Sequence, residues 1–326
     1  MPYAIRIHET GGPEVLRWEP VEVGRPGPGE ALLKHTAVAL NLIDTYHRSG
    51  LYPLPALPHG LGVEAAGVVE AVGEGVGVGA VKIGDRVAYA GAPGAYAEER
   101  LVPADRLVPL PDGIDDEQAA AMMLKGMTVE YLIRRTFRVE AGMTVLWHAA
   151  AGGVGLIACQ WLAHLGATVI GTVGSDEKAA LARAHGCRYP LVHGRESFIA
   201  RVRELTAGKG VPVVYDSVGK DTFEGSLQCL ARRGMLVSFG NASGPPAPLD
   251  PLVLSRLGSL FLTRPTLFDY TASREELLSS AAALFDVVRS GAVKIEVRQR
   301  WPLHRAAEAH RAIEARQTTG SSVLVP

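Results

Sequence analysis

The alternation of apolar and polar residues changes character near residue 125. Before that point, short apolar runs at residues 31–38, 67–72 and 85–90 lie between clusters of glycine and proline, and no steady helical period precedes residues 116–120. Short runs of this kind between turn-forming residues are typical of β-strands. The pattern predicts a strand-rich, barrel-like β domain.

Beyond residue 125, apolar runs alternate with stretches of helical period. Glycines follow two of the predicted helices directly, at Gly166 and Gly186, where a left-handed cap is expected. Strands that alternate with helices at this spacing predict a doubly wound parallel sheet with helices on both faces. The predicted strands are 143–148, 167–173, 190–192, 211–216, 235–239 and 260–263, and the predicted helices are 154–165, 176–185, 196–206 and 221–231.

The pattern loosens after Arg264. It predicts a helix at 275–289, a strand at 293–297, a helix at 305–316 and a closing strand at 322–325. A chain of 326 residues suits two domains, but its sequence pattern alone leaves open which of them this tail joins.

One long stretch, residues 141–175, contains no Asp, Glu, Lys or Arg. A membrane span would be apolar in the same way. This stretch, however, contains several glycines together with His148, Gln160 and His164, and its period changes twice. It predicts a buried strand–turn–helix–strand unit and no membrane insertion.

Composition and charge narrow the classes of partner. The 33 basic residues nearly balance the 34 acidic ones, and they form no basic block, so binding to nucleic acid is disfavoured. The three cysteines, Cys159, Cys187 and Cys229, form no CxxC pair, which disfavours a disulfide framework and a zinc–cysteine cluster. With no apolar leader at the N-terminus, they predict a cytoplasmic location.

The strongest chemical signal is the turn at residues 150–155, AAGGVG. It follows an apolar strand and opens a helix, so Gly152, Gly153 and Val154 would bring the backbone close to a pyrophosphate at the helix N-terminus. A tight turn that binds no ligand is the structural alternative. The surrounding strand and helix favour a dinucleotide site.

Residues after the second strand of this unit distinguish NADP from NAD. An acidic residue is expected there if the ribose 2′-hydroxyl is bound, but the strand ends without one, at Gly174 and Ser175. Ser175 and Lys178 suit a 2′-phosphate. Ser175 as a helix N-cap and Lys178 as a solvated side chain are the structural alternatives, and the nearby Asp176 weakens the charge argument. NADPH is the predicted cofactor.

Several motifs then converge on one family. They are GGPEVL at 11–16, NLIDTY at 41–46, RSGLYP at 48–53, GVEAAGVVEAVG at 62–73, VYDSVG at 214–219 and VSFGN at 237–241. With the glycine turn, they resemble the quinone oxidoreductase, zeta-crystallin-like branch of the medium-chain dehydrogenase/reductase superfamily. The resemblance runs from end to end of the chain.

This resemblance implies a fold and an activity. It implies a GroES-like β-barrel-type catalytic domain at 1–124, completed by a return segment at 265–326, and a Rossmann domain at 125–264. It also implies NADPH-dependent reduction of quinones in a homodimer. The apolar run at 258–263 would be a sheet edge that pairing with a second copy could cover.

The resemblance also addresses zinc. Zinc-dependent relatives place a cysteine ligand where this chain has Asn41 and a histidine where it has Val63. Neither side chain offers a thiolate or an imidazole, and the four-cysteine structural lobe has no counterpart, so no metal is expected.

Cofactor and catalytic residues are carried over by position. Asn41, Tyr46 and Tyr52 are the candidate catalytic residues: Asn41 would orient the nicotinamide carboxamide or a quinone oxygen, and the tyrosines would stack on the quinone or donate to its oxygen. His193 stands where the family often has a tyrosine near the adenosine phosphate. The full set of implied cofactor contacts is Asn41, Tyr46, Tyr131, Gly152, Gly153, Val154, Gly174, Ser175, Lys178, His193, Ser217, Phe239, Gly240, Asn241, Thr263, Arg264 and Arg316.

Structural alternatives accompany these roles. Tyr46 and Tyr52 could simply pack beneath a loop, Asp44 is interpreted as an acceptor for backbone N–H groups, and Lys125 as a surface lysine. Direct hydride transfer from NADPH to a quinone is the hypothesis, and one-electron steps stay open. The rival functions are reduction of enones or other activated alkenes and NADPH binding without turnover, whereas the lack of a GxSxG motif disfavours a hydrolase.

Overall fold

The computed structural model describes residues 1–77 and 80–326. These residues form two compact units. Unit 1 comprises Met1–Met127, Thr271–Arg289 and Ile295–Pro326. Unit 2 comprises Thr128–Tyr270 and Ser290–Lys294. The domain boundaries drawn from the sequence at 124/125 and 264/265 stay predictions.

The strands and helices are numbered in chain order. The strands are β1 (Tyr3–Ile7), β2 (Arg17–Pro20), β3 (Glu30–Leu40), β4 (His59–Gly60), β5 (Glu64–Val72), β6 (Arg86–Ala90), β7 (Glu99–Pro103), β8 (Val108–Pro109), β9 (Thr144–Trp147), β10 (Thr168–Val173), β11 (Cys187–Val192), β12 (Val211–Asp216), β13 (Leu230–Ser238), β14 (Phe261–Thr263), β15 (Val297–Pro302) and β16 (Ser321–Val325). The helices are α1 (Leu42–Ser49), α2 (Asp116–Tyr131), α3 (Gly153–His164), α4 (Asp176–Ala184), α5 (Phe198–Leu205), α6 (Phe223–Cys229), α7 (Leu252–Arg256), α8 (Leu267–Tyr270), α9 (Arg274–Arg289) and α10 (Ala306–Glu314).

Unit 1 is built on a seven-stranded sheet in the order β15-β16-β3-β5-β6-β8, with β7 also paired to β3. The long strand β3 organises this sheet, because β5, β7 and β16 all pair with it in antiparallel register. Its inward side chains, among them Leu33, Val38 and Leu40, are buried in the core of the unit. A smaller sheet has the order β2-β1-β4. The chain's last segment therefore adds its strands to the sheet that the first segment begins.

Unit 2 is built on a six-stranded sheet in the order β11-β10-β9-β12-β13-β14. All of its neighbouring strands are parallel. Counted from β9, this is the order 3-2-1-4-5-6 of the doubly wound dinucleotide-binding fold, so the predicted fold class is confirmed. Leu146, Ile170, Val214 and Leu236, one from each central strand, are buried in its core. The carboxyl ends of all six strands consequently share one edge of the sheet.

The uncharged stretch at 141–175 forms β9, α3 and β10, as predicted. Cys159 is fully buried on α3, which agrees with its interpretation as a core residue. Among the residues that the structure describes, no helix has both the length and the apolarity to cross a bilayer.

One helix was missed, one strand was misplaced and one helix is shorter than predicted. Helix α1 was missed because it is a single eight-residue segment that begins directly after β3 and ends at Gly50, whose φ is 82°. The strand predicted at 293–297 lies too early in the chain, because β15 begins only at Val297. Val293 and Ile295 alternate with exposed residues because both pack in the interior, outside any strand. The helix predicted at 221–231 ends at Cys229, where the chain enters β13.

Candidate functional site

The glycine turn joins β9 to α3 at the edge where the parallel strands end. Gly152 is the N-cap of α3, and its N–H donates to the carbonyl of Ala149 at 2.9 Å. A Cβ on Gly155 would lie 2.3 Å from that same carbonyl oxygen, so only glycine fits there. The helix N-terminus therefore presents its N–H groups and positive partial charge at the strand ends, where a pyrophosphate would be bound.

The residues predicted near an adenosine phosphate lie at the ends of the adjacent strands β10 and β11. Gly174 follows β10, and a side chain at that position would meet only open space. Ser175 caps α4 by accepting the Lys178 N–H at 3.2 Å, so the structural role considered for Ser175 is present. The His193 side chain is exposed, and the backbone N–H of this residue donates to the Val173 carbonyl at 2.8 Å.

Asp176, the acid that weakens the argument for a phosphate, has a basic partner. Its carboxylate forms an ion pair with Arg195, and both side chains are 64% exposed. An exposed pair of this kind contributes little to stability, but it places a cation next to the end of β10.

A second group of predicted residues follows β12, β13 and β14. Gly240 lies so close to β12 that a Cβ there would be 2.5 Å from the Ser217 carbonyl oxygen. With its carboxamide oriented to satisfy both neighbours, Asn241 donates to the Gly240 carbonyl at 2.9 Å and accepts from Arg264 at 3.1 Å. The Phe239 ring packs against Trp147 with centroids 5.6 Å apart. The structure thus brings Ser217, Phe239, Gly240, Asn241 and Arg264 together, with Thr263 at the end of β14.

Two other predicted cofactor residues lie at or just beyond the ends of helices. Tyr131, the last residue of α2, is buried and stacks on Tyr270 with centroids 4.4 Å apart. Arg316 is exposed beyond α10, in unit 1, with a φ of 58°.

In unit 1, Asn41 precedes α1 and is held by two carboxylates. Its Nδ2 donates to Glu64 Oε2 at 2.9 Å, and its backbone N–H donates to Asp44 Oδ2 at 2.8 Å. The Asp44 N–H donates back to the Asn41 carbonyl at 3.1 Å. Asn41 is only 5% exposed, so its carboxamide has a fixed orientation.

Glu64 is fully buried and accepts several donors. Besides Asn41, it accepts the Leu124 N–H at 2.7 Å and faces Lys125 Nζ at 3.5 Å. Burial raises the pKa of Glu64, and Lys125 and the hydrogen bonds oppose that rise.

The sequence interpretation of Lys125 as a surface residue was wrong. Lys125 is 5% exposed, because its ammonium compensates the buried carboxylate of Glu64. Neither Glu64 nor Lys125 was singled out from the sequence for a role at the site, although an acid directly before the apolar run at 65–69 was the available signal.

Asp44 is a second buried carboxylate. Its Oδ2 accepts the Asn41 N–H and, at 2.8 Å, the Tyr96 hydroxyl, so its interpretation as an acceptor for backbone N–H is confirmed. Burial raises the pKa of Asp44 to about 7, and those two hydrogen bonds oppose the rise. Its Oδ1 is buried and has no hydrogen-bond partner among residues 1–77 and 80–326.

Tyr46 and Tyr52 contact one another through their rings and their backbones. Their rings meet edge to face with centroids 5.2 Å apart, and the Tyr52 N–H donates to the Tyr46 carbonyl at 3.1 Å. Both side chains are half-buried. They pack together, as the structural alternative requires, and each keeps part of its surface exposed.

A metal centre has no obvious ligands in the part of the chain that the structure describes, where no group of three or more His, Cys, Asp or Glu side chains could hold an ion. Val63, which stands where zinc-dependent relatives place a histidine, is fully buried. The expectation of a metal-free site stays a prediction.

Comparison with known proteins agrees with this architecture. A zinc-binding dehydrogenase model matches residues 153–285, and an alcohol dehydrogenase GroES-like domain model matches residues 27–112. A quinone oxidoreductase of Pseudomonas aeruginosa is 54% identical, and a 2-haloacrylate reductase of a Burkholderia species is 47% identical. These alignments cover 100% of this chain, and 100% and 99% of the respective relatives. The crystal structure of the Escherichia coli quinone oxidoreductase complexed with NADPH has a TM-score of 0.97 at 48% identity, covering 99% of this chain and 100% of that one.

The fold and the site therefore define a member of the medium-chain dehydrogenase/reductase superfamily. Within that superfamily, the chain belongs to the quinone oxidoreductases.

Proposed function

We propose that this chain reduces quinones with NADPH. The observation that carries the proposal is the glycine turn of unit 2 together with the end of β10, where Gly174 and Ser175 stand in place of an acid that would bind a ribose 2′-hydroxyl and Lys178 follows in the first turn of α4. The acceptor is inferred from the relatives, since proteins 54% and 51% identical to this chain are quinone oxidoreductases. We also propose a cytoplasmic location, supported by three free, buried thiols.

The residues present fit a dinucleotide. Gly155 and Gly240 stand where a Cβ would collide with a backbone carbonyl, and the N-terminus of α3 supplies N–H donors for phosphate. When bound, NADPH supplies the hydride that reduces the acceptor. The residues that would hold it in unit 2 are Tyr131, Gly152, Gly153, Val154, Gly174, Ser175, Lys178, His193, Ser217, Phe239, Gly240, Asn241, Thr263 and Arg264, and those in unit 1 are Asn41, Tyr46 and Arg316.

Asn41 is the proposed orienting residue. One N–H of its carboxamide is donated to Glu64, and a carboxamide nitrogen carries two. The second N–H would be donated to an oxygen of the nicotinamide carboxamide or of the quinone. Because Glu64 and Lys125 fix this group before anything binds, the donor needs no reorganisation during the reaction.

Tyr46 and Tyr52 are the proposed contacts to the quinone ring. Their edge-to-face pairing leaves both rings half-buried, so they offer an aromatic surface and two hydroxyl groups. A hydroxyl donated to a quinone oxygen would stabilise the negative charge that develops there. The final proton would come from solvent.

The decisive experiment measures oxidation of NADPH and of NADH by the purified chain with quinones, enones, 2-haloacrylates and aldehydes, with and without a chelator. We expect turnover with quinones and NADPH that the chelator leaves unchanged. Turnover with aldehydes alone, or loss of activity on chelation, would contradict the proposal. NADPH binding with no turnover of any acceptor would favour a binding protein.

Reduction of activated alkenes is the second candidate function. It is favoured by the 47% identity to a 2-haloacrylate reductase along the whole chain. Both functions would use the same hydride donor, so the comparison of kcat/KM between quinones and haloacrylates in the same panel separates them.

We further propose that two copies associate through β14. This strand is an edge of the parallel sheet, paired only with β13 among the described strands. Phe261 and Leu262 on it are 54% and 38% exposed. Pairing with the same strand of a second copy would cover an apolar edge that otherwise invites non-specific pairing.

A further inference from the structure

A hydrogen-bonded network of buried polar side chains lies at the carboxyl ends of β9, β10 and β12. His148, directly after β9, lies at its centre and is fully buried. Its Nδ1 is 2.9 Å from Thr172 Oγ1 on β10, and its Nε2 is 2.9 Å from Ser226 Oγ on α6. Ser226 Oγ in turn donates to Asp216 Oδ2 at 2.8 Å, at the end of β12.

At both of its ends, this network forms hydrogen bonds with backbone N–H groups of the loops that follow the strands. At one end, Thr172 Oγ1 accepts the Ala149 N–H at 3.4 Å, and Ala149, with a φ of 55°, directly precedes the glycine turn. At the other end, Asp216 Oδ1 accepts the N–H groups of Val218 and Gly219 at 2.8 and 3.0 Å.

The direction of each hydrogen bond follows from the groups involved. Ser226 has one hydroxyl proton, and two of its neighbours, Asp216 Oδ2 and the Thr222 carbonyl, can only accept. His148 Nε2 must therefore carry a proton and donate it to Ser226. Burial lowers the pKa of His148, which keeps the ring neutral, so Nδ1 accepts the Thr172 hydroxyl.

This arrangement connects two loops that carry proposed cofactor residues. The glycine turn contains Gly152 and Gly153, and the loop after β12 begins with Ser217. A dinucleotide that spans adjacent strand ends contacts both loops, so its affinity depends on their spacing. None of the bridging groups needs to touch the cofactor.

We propose that His148 is a positioning residue that fixes the spacing between the glycine turn and the loop after β12, and so sets the affinity for NADPH. Thr172, Ser226 and Asp216 transmit this constraint. The inference rests on the proposed use of NADPH.

The test measures the Kd of NADPH by fluorescence titration, together with Tm, for Thr172→Val, Thr172→Ser and Ser226→Ala. Thr172→Val removes the hydroxyl at nearly constant shape, whereas Thr172→Ser retains it. We expect Thr172→Val and Ser226→Ala each to raise the Kd about five- to tenfold, and Thr172→Ser to restore a value close to that of the wild type. At saturating NADPH, the KM for quinone should not change.

Thr206→Val is the matched control. Thr206 Oγ1 accepts the Gly210 N–H at 2.9 Å at the opposite end of β12, so its loss should lower Tm and leave the Kd unchanged. The inference would be overturned if Thr172→Val and Ser226→Ala both bound NADPH with the wild-type Kd, or if Thr206→Val raised the Kd equally. The proposed function would not be affected by either result. A wild-type chain that does not bind NADPH would overturn the proposed function and the inference with it.

Discussion

Glu64 and Lys125 form an ion pair in the interior of unit 1, with Nζ 3.5 Å from Oε2 and neither side chain more than a tenth exposed. Removing one partner of such a pair leaves a buried charge without compensation. The same carboxylate holds the carboxamide of Asn41, so the pair links the stability of the unit to the orientation of a proposed catalytic group.

Replacing Lys125 with Met should therefore destabilise the protein by about 3–5 kcal/mol at neutral pH. The loss should become smaller as pH falls, because Glu64 can then take up a proton. Urea unfolding at several pH values measures this. Arg305→Met, which breaks an exposed ion pair with Glu308, is the control and should have no measurable effect. Equal stability of Lys125→Met and the wild type would show that the ion pair is not needed.

The raised pKa of Asp44, about 7, predicts a pH dependence of stability with a definite sign. Between about pH 4 and 7 the folded chain holds a proton on Asp44 that the unfolded chain has released, so this group's contribution decreases as pH rises, by at most about 1.4 kcal/mol per pH unit. Asp44→Asn should remove this contribution. The buried His35, with its pKa lowered to about 4 by burial, contributes with the opposite sign, so the informative quantity is the difference between wild type and variant. A difference that is constant from pH 4 to 7 would refute the assignment.

Substitutions of the residues proposed to contact the quinone should affect turnover more than folding. Asn41→Ala should lower kcat with quinones about a hundredfold, as for removal of a preorganised donor. Tyr52→Phe should lower it about tenfold through loss of one hydrogen bond. Steady-state kinetics with NADPH in excess measures both, and Glu70→Gln, at an exposed position of β5, is the control. Unchanged turnover in both variants would remove these residues from the mechanism.

Lys178 should contribute to the choice between NADPH and NADH. Lys178→Gln removes a charge-assisted contact to a 2′-phosphate and should raise the KM for NADPH about tenfold or more while leaving that for NADH unchanged. Lys209→Gln, at the opposite edge of the same sheet, is the control. A parallel rise in both KM values would indicate a general loss of binding rather than phosphate recognition.

Phe261→Lys should convert the proposed dimer to a monomer. A charge on this apolar strand edge would have to be desolvated on pairing, which disfavours association. Sedimentation velocity at micromolar concentration measures the change. Leu278→Lys, on an exposed position of α9, should leave the assembly intact, and a monomeric wild type would contradict the proposal.

Sequence periodicity predicted unit 2 well, because each strand and helix of a doubly wound sheet has its own strong apolar pattern. The turn at Gly152 and the acid-free end of β10 were predicted for the same reason, since both are short-range signals. The contacts of Glu64 with Lys125 and of His148 with Ser226 were not predicted. They join residues far apart in the chain, and a buried charge or a bridging histidine has no local period.

The position of β16 between β15 and β3 has a consequence for synthesis. On the ribosome, β3 emerges long before β16, so residues 38–40 of β3, which pair with β16, present unpaired N–H and C=O groups while the whole parallel sheet of unit 2 is being made. Such an edge is a template for pairing with another nascent chain. The sheet of unit 1 can therefore close only after translation of β16, and crowded polysomes and rapid overexpression are the conditions in which this chain is most exposed to misassembly.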